Sequence, residues 1–315
     1  MKPTSLAMAA GLMAWAHLAC APALACLSCG CGGSGTSSDL GAVGGAASIF
    51  SMGSRWLIQE GVSTRSITGA FNELGTWNPT PVGGSLTSVQ STLGLTYFPM
   101  MGASIGLQVP LVANALDGAT WGPMGSINPT DTPRAVGAAI GDLAFQASYK
   151  VAEGPSWALA AWGGASAPTG QATGDPALLS GAGVWSGMAG MIGVTQLNGW
   201  EFSGNLGYQR PFGQPPLTAS TFYVGEAWLY QLQSNVAVTD AVRVGLGLNG
   251  FLGQGRFGPT DLAVPMSKIK VVPSVQYQFG AAEGVRLALG YDPASLGKNS
   301  MTDLTLYAIF YQFMQ

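Results

Sequence analysis

Three cysteines near the start of the chain are the residues whose type and spacing could most directly do chemistry. They form the run Cys26-Leu27-Ser28-Cys29-Gly30-Cys31. Thiolates bind soft metal ions, so one interpretation is a site for Cu(I) or Zn(II). A second interpretation is a Cys-x-x-Cys disulfide with one spare thiol, in an oxidising compartment. Haem attachment fails because Gly30 stands where Cys-x-x-Cys-His needs histidine. The plainest interpretation is a flexible tail that carries a disulfide, because metal motifs at chain ends are weak predictors.

The sole histidine, His17, lies in an N-terminal segment with the features of a secretory signal. Lys2 supplies the positive charge, residues 6–18 are mostly apolar, and Ala23-Leu24-Ala25 is a small-x-small site, which predicts cleavage before Cys26. A mature chain without histidine cannot build a Ser-His-Asp or Cys-His nucleophile. Histidine metal sites and axial histidine ligation of haem are excluded on the same ground. We therefore expect no enzyme and no cofactor, apart from a soft metal ion at the cysteines.

The composition narrows the class of protein. The chain has 315 residues, of which 47 are glycine, and only 9% are charged, against roughly 25% in ordinary soluble domains. No run of about 18 apolar residues follows the N-terminal segment, so a membrane-spanning helix is not expected. The net charge of −3 gives no reason to invoke nucleic acid. Low charge and abundant glycine suit strands that are apolar on one face only.

The stretch from Val242 to Asn249 shows such a strand. Val242, Val244, Leu246 and Leu248 alternate with arginine, two glycines and asparagine. Side chains of a strand point to opposite faces in turn, so this segment has one apolar and one polar or empty face. The pattern recurs along most of the chain and predicts about twelve strands. An even number of strands, apolar outside and polar inside, is typical of a bacterial transmembrane β-barrel.

The connections between the predicted strands alternate between short and long. Short turns are marked by Pro99, Gly154, Asn198, Asp240 and Gly284, and the Asn198-Gly199 pair favours a two-residue hairpin. Long loops are expected at residues 67–84, 114–134, 168–183, 211–216, 253–265 and 292–300. Aromatic residues near strand ends fit the girdles of a membrane barrel. We therefore expect an antiparallel barrel in the outer membrane, with short turns and both termini in the periplasm.

The expected organisation is a signal peptide at 1–25, a Cys- and Gly-rich periplasmic tail or plug at 26–50, and the barrel at 51–315. The polar side of each strand supplies candidate residues that line the lumen. They are Gln108, Asp142, Gln146, Lys150, Glu201, Asn205, Gln209, Gln231, Gln233, Arg243, Asn249, Lys268, Lys270, Gln276, Gln278 and Arg286. For any one amide, filling a narrow lumen and pairing with neighbours is the simpler role.

Four short runs come in a recognisable order: Leu93-Gly94-Leu95-Thr96-Tyr97, Val109-Pro110-Leu111-Val112-Ala113-Asn114, Ile140-Gly141-Asp142-Leu143 and Ala167-Pro168-Thr169-Gly170. In this order they resemble the outer-membrane barrel family named for the meta-pathway of phenol degradation. The resemblance covers the chain from about Leu93 to its end. It implies a barrel for small, often hydrophobic or aromatic, compounds. It also implies a terminal aromatic residue that the assembly machinery recognises; Phe313 fits, although Met314 and Gln315 follow it.

The expected function is a passive outer-membrane channel for small solutes, hydrophobic or aromatic ones among them. The candidate set contains more amides than charged side chains, and on this basis we expect uncharged or weakly polar cargo rather than ions. The expected partners are outer-membrane lipid, the solute and the assembly machinery. The first alternative is a metal-handling or redox-linked barrel whose cysteine tail captures a copper-like ion. The second is a barrel with a mainly structural role.

Overall fold

A computed structural model describes most of the chain after residue 54. The described residues are 55–71, 74–80, 82, 84–121, 127–129, 135–171, 180–213, 222–257, 262–280, 283–293, 296–298 and 300–314. They contain strands, turns and bends, and none of their segments is a helix long and apolar enough to cross a membrane. The predicted signal peptide and cysteine tail lie outside them.

The fold is all-β, a closed antiparallel barrel of twelve strands, as the sequence predicts. The strands are β1 (Trp56–Phe71), β2 (Ser85–Met100), β3 (Ala103–Asp117), β4 in two parts (Ala135–Ile140 and Leu143–Glu153), β5 (Trp157–Ala167), β6 (Trp185–Leu197), β7 (Trp200–Phe212), β8 (Phe222–Ala237), β9 (Val242–Phe257), β10 (Leu262–Gly280), β11 (Glu283–Tyr291) and β12 (Met301–Met314). Short strands also form at Trp77–Pro79, Ala119–Trp121, Ile127–Pro129 and Gly297–Lys298.

Each strand pairs with the next along the chain, and β1 pairs with β12 to close the ring. The closing ladder runs from Trp56 opposite Met314 to Ala70 opposite Met301. Closure leaves no long edge strand with unpaired backbone groups among the described residues, which a membrane-spanning sheet requires. The five predicted short turns join strands at one end of the barrel, the short-turn end, and the remaining connections join strands at the other end, the long-loop end. One of these, between β9 and β10, also spans only four residues.

The turn predicted at Asn198-Gly199 is confirmed. Leu197 pairs with Trp200, and both turn residues have positive φ, 51° for Asn198 and 81° for Gly199. Two consecutive positive φ values define the type I′ turn, whose twist matches that of the flanking strands. The turn therefore fixes the register of β6 against β7.

Several strands are longer than the alternation of side chains predicts. β1 continues to Phe71 inside the predicted loop 67–84, and β3 continues to Asp117 inside 114–134. β9 and β10 together leave only residues 258–261 between them, so the predicted long loop 253–265 is wrong. The backbone ladder can extend wherever a neighbouring strand is present, whatever the side chains are. The apolar-polar contrast marks only the part of a strand that has one lipid face.

Two of the irregularities in the wall concern strands that the alternation of side chains predicts to be continuous or nearly so. Alternating side chains predict one strand over residues 140–150, but the chain breaks at Gly141 and Asp142, between the two parts of β4. In β10, Val271 pairs with Tyr291 and Ser274 with Ala288, and no pair with β11 forms at Pro273. A proline inside a strand predicts such an irregular rung, because proline has no N–H to donate to a ladder, and the missing pair confirms it.

The two faces of the wall differ in exposure. On β9, Leu246 and Leu248 are 52% and 40% exposed, whereas Gly247 and Phe251 of the same strand are buried. The exposed face is the outer one and is mainly apolar over much of the ring. Exposed aromatic residues lie near both ends, with Trp56 4.7 Å from Tyr97 between ring centroids at the short-turn end. This is the arrangement that a lipid bilayer with two interfaces favours.

Gly250 provides a test of outer-face packing. Tyr230 Oη donates to the carbonyl oxygen of Lys268 (3.0 Å) directly over this glycine. A Cβ at Gly250 would collide with that oxygen and with Tyr230 Oη. We expect Gly250→Ala to lower the free energy of unfolding by about 1–3 kcal/mol, as overpacking does. Urea unfolding in lipid vesicles measures it.

The control is Gly193→Ala on the outer face of β6. Its Cβ would meet Leu159 Cδ1 at 3.6 Å, an ordinary contact. We expect this variant to unfold at nearly the same urea concentration as the parent. Equal destabilisation by the two alanines would contradict the packing of Tyr230 over Gly250.

Candidate functional site: the inner face of the barrel

The residues predicted to line the lumen lie at strand positions of the inner face, apart from Asp142, which lies at the break in β4. Gln231, Gln233, Lys268, Lys270 and Arg286 are buried. The half-buried members are Gln108, Asp142, Gln146, Lys150, Glu201, Asn205, Gln209, Arg243, Asn249, Gln276 and Gln278. Whether a solute passes along them stays a prediction.

A group of buried ions, the charged cluster, lies on neighbouring strands toward the long-loop end. It consists of Arg65, Lys268, Lys270, Asp292 and Asp303. Lys268 Nζ lies 2.6 Å from Asp303 Oδ2 and 2.8 Å from Asp292 Oδ2. Lys270 Nζ lies 2.5 Å from Asp303 Oδ1, and Arg65 Nε lies 3.5 Å from Asp303 Oδ2. Asp303 therefore has three cations around one buried carboxylate.

Neighbouring groups hold this cluster in place. The Asp303 backbone N–H donates to Asp292 Oδ2 (2.7 Å), and the Thr305 hydroxyl donates to Asp303. Lys270 Nζ also donates to Thr305 Oγ1 (2.9 Å) and lies 5.9 Å from the ring centroid of Tyr307. Charged groups in a low-dielectric interior need such partners, because each unpaired ion costs several kcal/mol.

A second polar network lies nearer the short-turn end, on β7, β8 and β9. Glu201 forms an ion pair with Arg243 (Nη1 to Oε2, 3.2 Å) and accepts from Asn235 Nδ2 (3.3 Å). Gln233 Nε2 donates to Asn235 Oδ1 (2.8 Å). The predicted residues Glu201, Gln233 and Arg243 are thus brought together, because they occupy inner-face positions on three neighbouring strands.

Two aromatic side chains connect with amides of the inner face. Trp162 Nε1 donates to Asn205 Oδ1 (2.8 Å), and Gln276 Nε2 donates to Tyr311 Oη (2.8 Å). Tyr311 also packs with Leu57 and Phe98 in a buried apolar cluster near the short-turn end. The inner face therefore combines apolar surface with amide and hydroxyl groups, which is typical of a small-molecule site.

The inner face of β5 and β6 is uncharged and mainly apolar. Ala158, Ala160, Ile192 and Val194 form a buried cluster, and Trp162 packs against it. The other described inner-face positions of these two strands carry small or neutral residues, namely Gly164, Ser166, Ser186, Met188, Gly190 and Gln196. In a closed ring of twelve strands, β5 and β6 lie opposite β11 and β12. One side of the interior is thus apolar and the opposite side carries ions.

Asp142 has a different setting from the other candidates. Its two carboxylate oxygens accept from the backbone N–H groups of Gly170 (2.9 Å) and Ala182 (2.6 Å). Thr169 Oγ1 donates to the Gly141 carbonyl oxygen (2.8 Å). These bonds tie the segments on either side of residues 172–179 to the break in β4. Asp142 therefore positions this connection.

Sequence reasoning missed several inner-face residues, among them Gln59, Arg65, Asp292 and Asp303. The inward position of Arg65 could have been predicted, because Arg65 continues the alternation of side chains set by Leu57, Gln59 and Ser63. The alternation in β1 is weak, because its outward positions include Glu60, a threonine and a serine and are not all apolar. The apolar alternation near the C-terminus predicts a last strand over residues 304–313, so Asp303, which belongs to β12 (Met301–Met314), lies one residue before the predicted start. The inner face is consequently richer in charge than expected.

The cysteines Cys26, Cys29 and Cys31 lie outside the described residues. Within the described ranges, no group of three or more histidine, cysteine, aspartate or glutamate side chains could hold a metal ion. The soft-metal and disulfide interpretations of the tail therefore stay predictions.

Comparisons with solved structures identify related barrels. The COG4313 outer membrane channel from Pseudomonas putida F1 has a TM-score of 0.65 at 16% identity, covering 84% of this chain and 97% of that chain. The NanC porin has a TM-score of 0.49 at 6% identity over 82% and 100%. The Pseudomonas putida toluene transporter TodX has a TM-score of 0.43 at 10% identity over 85% and 93%. Of these three, the likeness to the COG4313 channel is the one with a TM-score above 0.5, and it indicates that the two chains share the barrel fold.

No curated relative matches this chain. The family model of the MetA-pathway of phenol degradation matches residues 40–290, which is most of the chain. The match includes the four runs that carry the resemblance in the sequence. The chain therefore belongs to the MetA-pathway of phenol degradation family.

Proposed function

We propose that this chain is an integral outer-membrane channel through which small, largely apolar or aromatic solutes diffuse passively. The observation that carries the proposal is a closed wall with exposed apolar side chains outside and a mixed apolar and polar face inside. A purely structural barrel needs no hydrogen-bonding groups inside beyond those that pair with one another. The interior of this barrel also has hydrogen-bonding groups that find no partner among the described residues.

Three inner-face amides support the proposal. Gln59 Nε2, Gln209 Oε1 and Gln231 Oε1 are buried atoms that have no hydrogen-bond partner among the described residues. A buried polar atom without a partner costs about 1–3 kcal/mol, so such atoms favour water or a solute group that can pair with them. They provide polar contacts along the interior of the barrel.

The direct test is uptake by intact cells of a deletion strain that carries either the barrel or an empty vector. Whole cells are needed because apolar solutes also dissolve in the phospholipid of simple vesicles. Neutral aromatic compounds are expected to enter faster when the barrel is present, whereas a disaccharide of greater polarity gains little. Equal uptake of every compound with and without the barrel would favour the structural role.

The proposed orientation places the short-turn end and both termini in the periplasm, because twelve strands return the chain to its starting side. The long-loop end then faces outward. An epitope at Asp117 and Gly118 is expected to be labelled by antibody on intact cells, and an epitope at Asn198 and Gly199 only after the outer membrane is opened. The reverse labelling would contradict this orientation.

Delivery follows from the same proposal. Residues 1–25 would be removed as a signal peptide, and the barrel would be inserted into lipid by the outer-membrane assembly machinery. Tyr311 and Phe313 supply aromatic residues at the end of β12, which supports recognition of the last strand.

A further inference from the structure

Within the described ranges, buried charge is confined to one side of the barrel. Six charged side chains of the described residues are buried: Arg65, Lys268, Lys270, Arg286, Asp292 and Asp303. They lie on β10, β11, β12 and β1 or directly after β11, which are consecutive neighbours in the ring. Four are cations and two are carboxylates, so this side has a positive excess.

From this arrangement we infer that the channel prefers solutes with an apolar body and an anionic head group, such as a carboxylate on an aromatic ring. This inference rests on the proposed function and names a solute class within it. The head group interacts with the cations of β10, β11 and β1. The apolar body lies against the alanine, isoleucine, valine and tryptophan surface of β5 and β6 on the opposite side.

The charge excess is the first argument. Asp303 and Asp292 offset two of the three cations in the charged cluster, and Arg286 adds a further positive charge. Water is largely excluded from these buried positions, so the excess is screened less than it would be at a surface. A channel with walls of low dielectric and one sign of excess charge concentrates ions of the opposite sign.

The order of the groups along the barrel is the second argument. Lys268 and Lys270 lie toward the long-loop end. Arg286, opposite Gln276 in the ladder, lies nearer the short-turn end and donates to Ser274 Oγ (3.4 Å). Gln59, opposite Tyr311, lies one inner-face rung beyond the Arg286–Ile309 pair. Its Nε2 is a buried donor with no partner among the described residues.

These positions form a line of donors from one end of the interior toward the other. Several separated sites of moderate strength allow an anion to enter and also to leave, which conduction requires. A single deep site would instead retain it. The carboxylates of the charged cluster keep the lysines from binding an anion too tightly.

The test compares three solutes that share one ring: phenylacetate, 2-phenylethanol and phenethylamine. Initial uptake into intact cells of the deletion strain is measured with the parent barrel and with an empty vector. The barrel is expected to accelerate phenylacetate about tenfold more than phenethylamine, a ratio within the range of electrostatic focusing. The reversal potential of the purified barrel in a potassium chloride gradient is expected to indicate preference for chloride.

Two variants remove cations on this side, Lys270→Gln and Arg286→Gln. Each is expected to reduce the preference for phenylacetate over phenethylamine and to move the reversal potential toward zero. The matched control is Arg210→Gln, which removes an exposed cation on the outer face of β7. It is expected to leave both measurements unchanged. Heat-dependent migration on a gel checks that each barrel is folded.

The outcomes separate this inference from the proposed function. If the barrel accelerates all three solutes equally, or accelerates the amine most, the preference for anions is wrong while the channel stands. If it accelerates none of the three, the proposed function is wrong. Should neither the lysine nor the arginine variant fold, the solute ratio and reversal potential of the parent still decide the matter.

Discussion

Replacing Asp303 by asparagine is expected to lower the free energy of unfolding by about 3–5 kcal/mol, the usual cost of breaking a buried ion pair. The carboxylate accepts from Lys268 and Lys270 and lies 3.5 Å from Arg65 Nε. The amide keeps the size of the side chain but removes its charge. Three buried cations would then share the single carboxylate of Asp292. Urea unfolding in lipid vesicles, followed by tryptophan fluorescence, measures the loss.

Glu226→Gln is the control for this variant. Glu226 forms an ion pair with Arg210 (3.2 Å) and accepts from Tyr208 Oη (2.8 Å), but both charged side chains are largely exposed. Exposed pairs contribute about 0–1 kcal/mol, so little change is expected. If Asp303→Asn cost no more than Glu226→Gln, the charged cluster would not be stabilising the β1, β10 and β12 side of the wall.

The second large effect is expected at the lipid face of β9. Leu246→Arg should impair assembly and cost about 2–4 kcal/mol, the range for arginine at the midplane of a bilayer. Gly247→Arg should assemble, because position 247 points inward and a Cβ there has its nearest contact at 3.4 Å, the carbonyl oxygen of Val272. The amount of folded barrel recovered from membranes measures both.

Neighbouring positions make this comparison informative. The two arginines enter the same strand one residue apart, and only the face differs. Equal assembly of the two variants would mean that the exposed face of β9 does not meet lipid. A selective defect in Gly247→Arg would mean that the faces are assigned the wrong way round.

The number of strands, their order and the facing of the best-defined segments could be predicted from sequence. Period-two alternation is strong where lipid imposes one apolar face, as in β9 from Val242 to Leu248. The Asn198-Gly199 turn was also readable because a type I′ hairpin needs residues that tolerate positive φ. Both features are local, and a single sequence displays local constraints directly.

The ends of the strands and the charged cluster could not be predicted in the same way. Beyond the lipid face, β1 and β3 are held by backbone ladders whose hydrogen bonds leave no mark on residue type. The partners Lys268 and Asp303 are 35 positions apart and meet only because β10, β11 and β12 are adjacent. The alternation of β10 predicts that Lys268 points inward. Its carboxylate partner, Asp303, lies before the predicted start of β12. The alternation within one strand predicts which face a residue lies on, but not which residues of the neighbouring strands lie beside it.

The most direct test of passage through the barrel is selective blocking of its interior. Gln233→Cys and Leu232→Cys are made separately in a background where Cys26, Cys29 and Cys31 are replaced by serine, and a bulky thiol reagent is added. Gln233 is 8% exposed on the inner face of β8, and Leu232 is 57% exposed on the outer face.

Uptake of a neutral aromatic solute by intact cells is then measured, with mass spectrometry to confirm modification. If solutes pass through the interior, modification of the Gln233→Cys variant reduces uptake to the level of cells without the barrel, whereas modification of the Leu232→Cys variant leaves uptake unchanged. Undiminished uptake after full modification of the inner-face thiol would contradict passage through the interior.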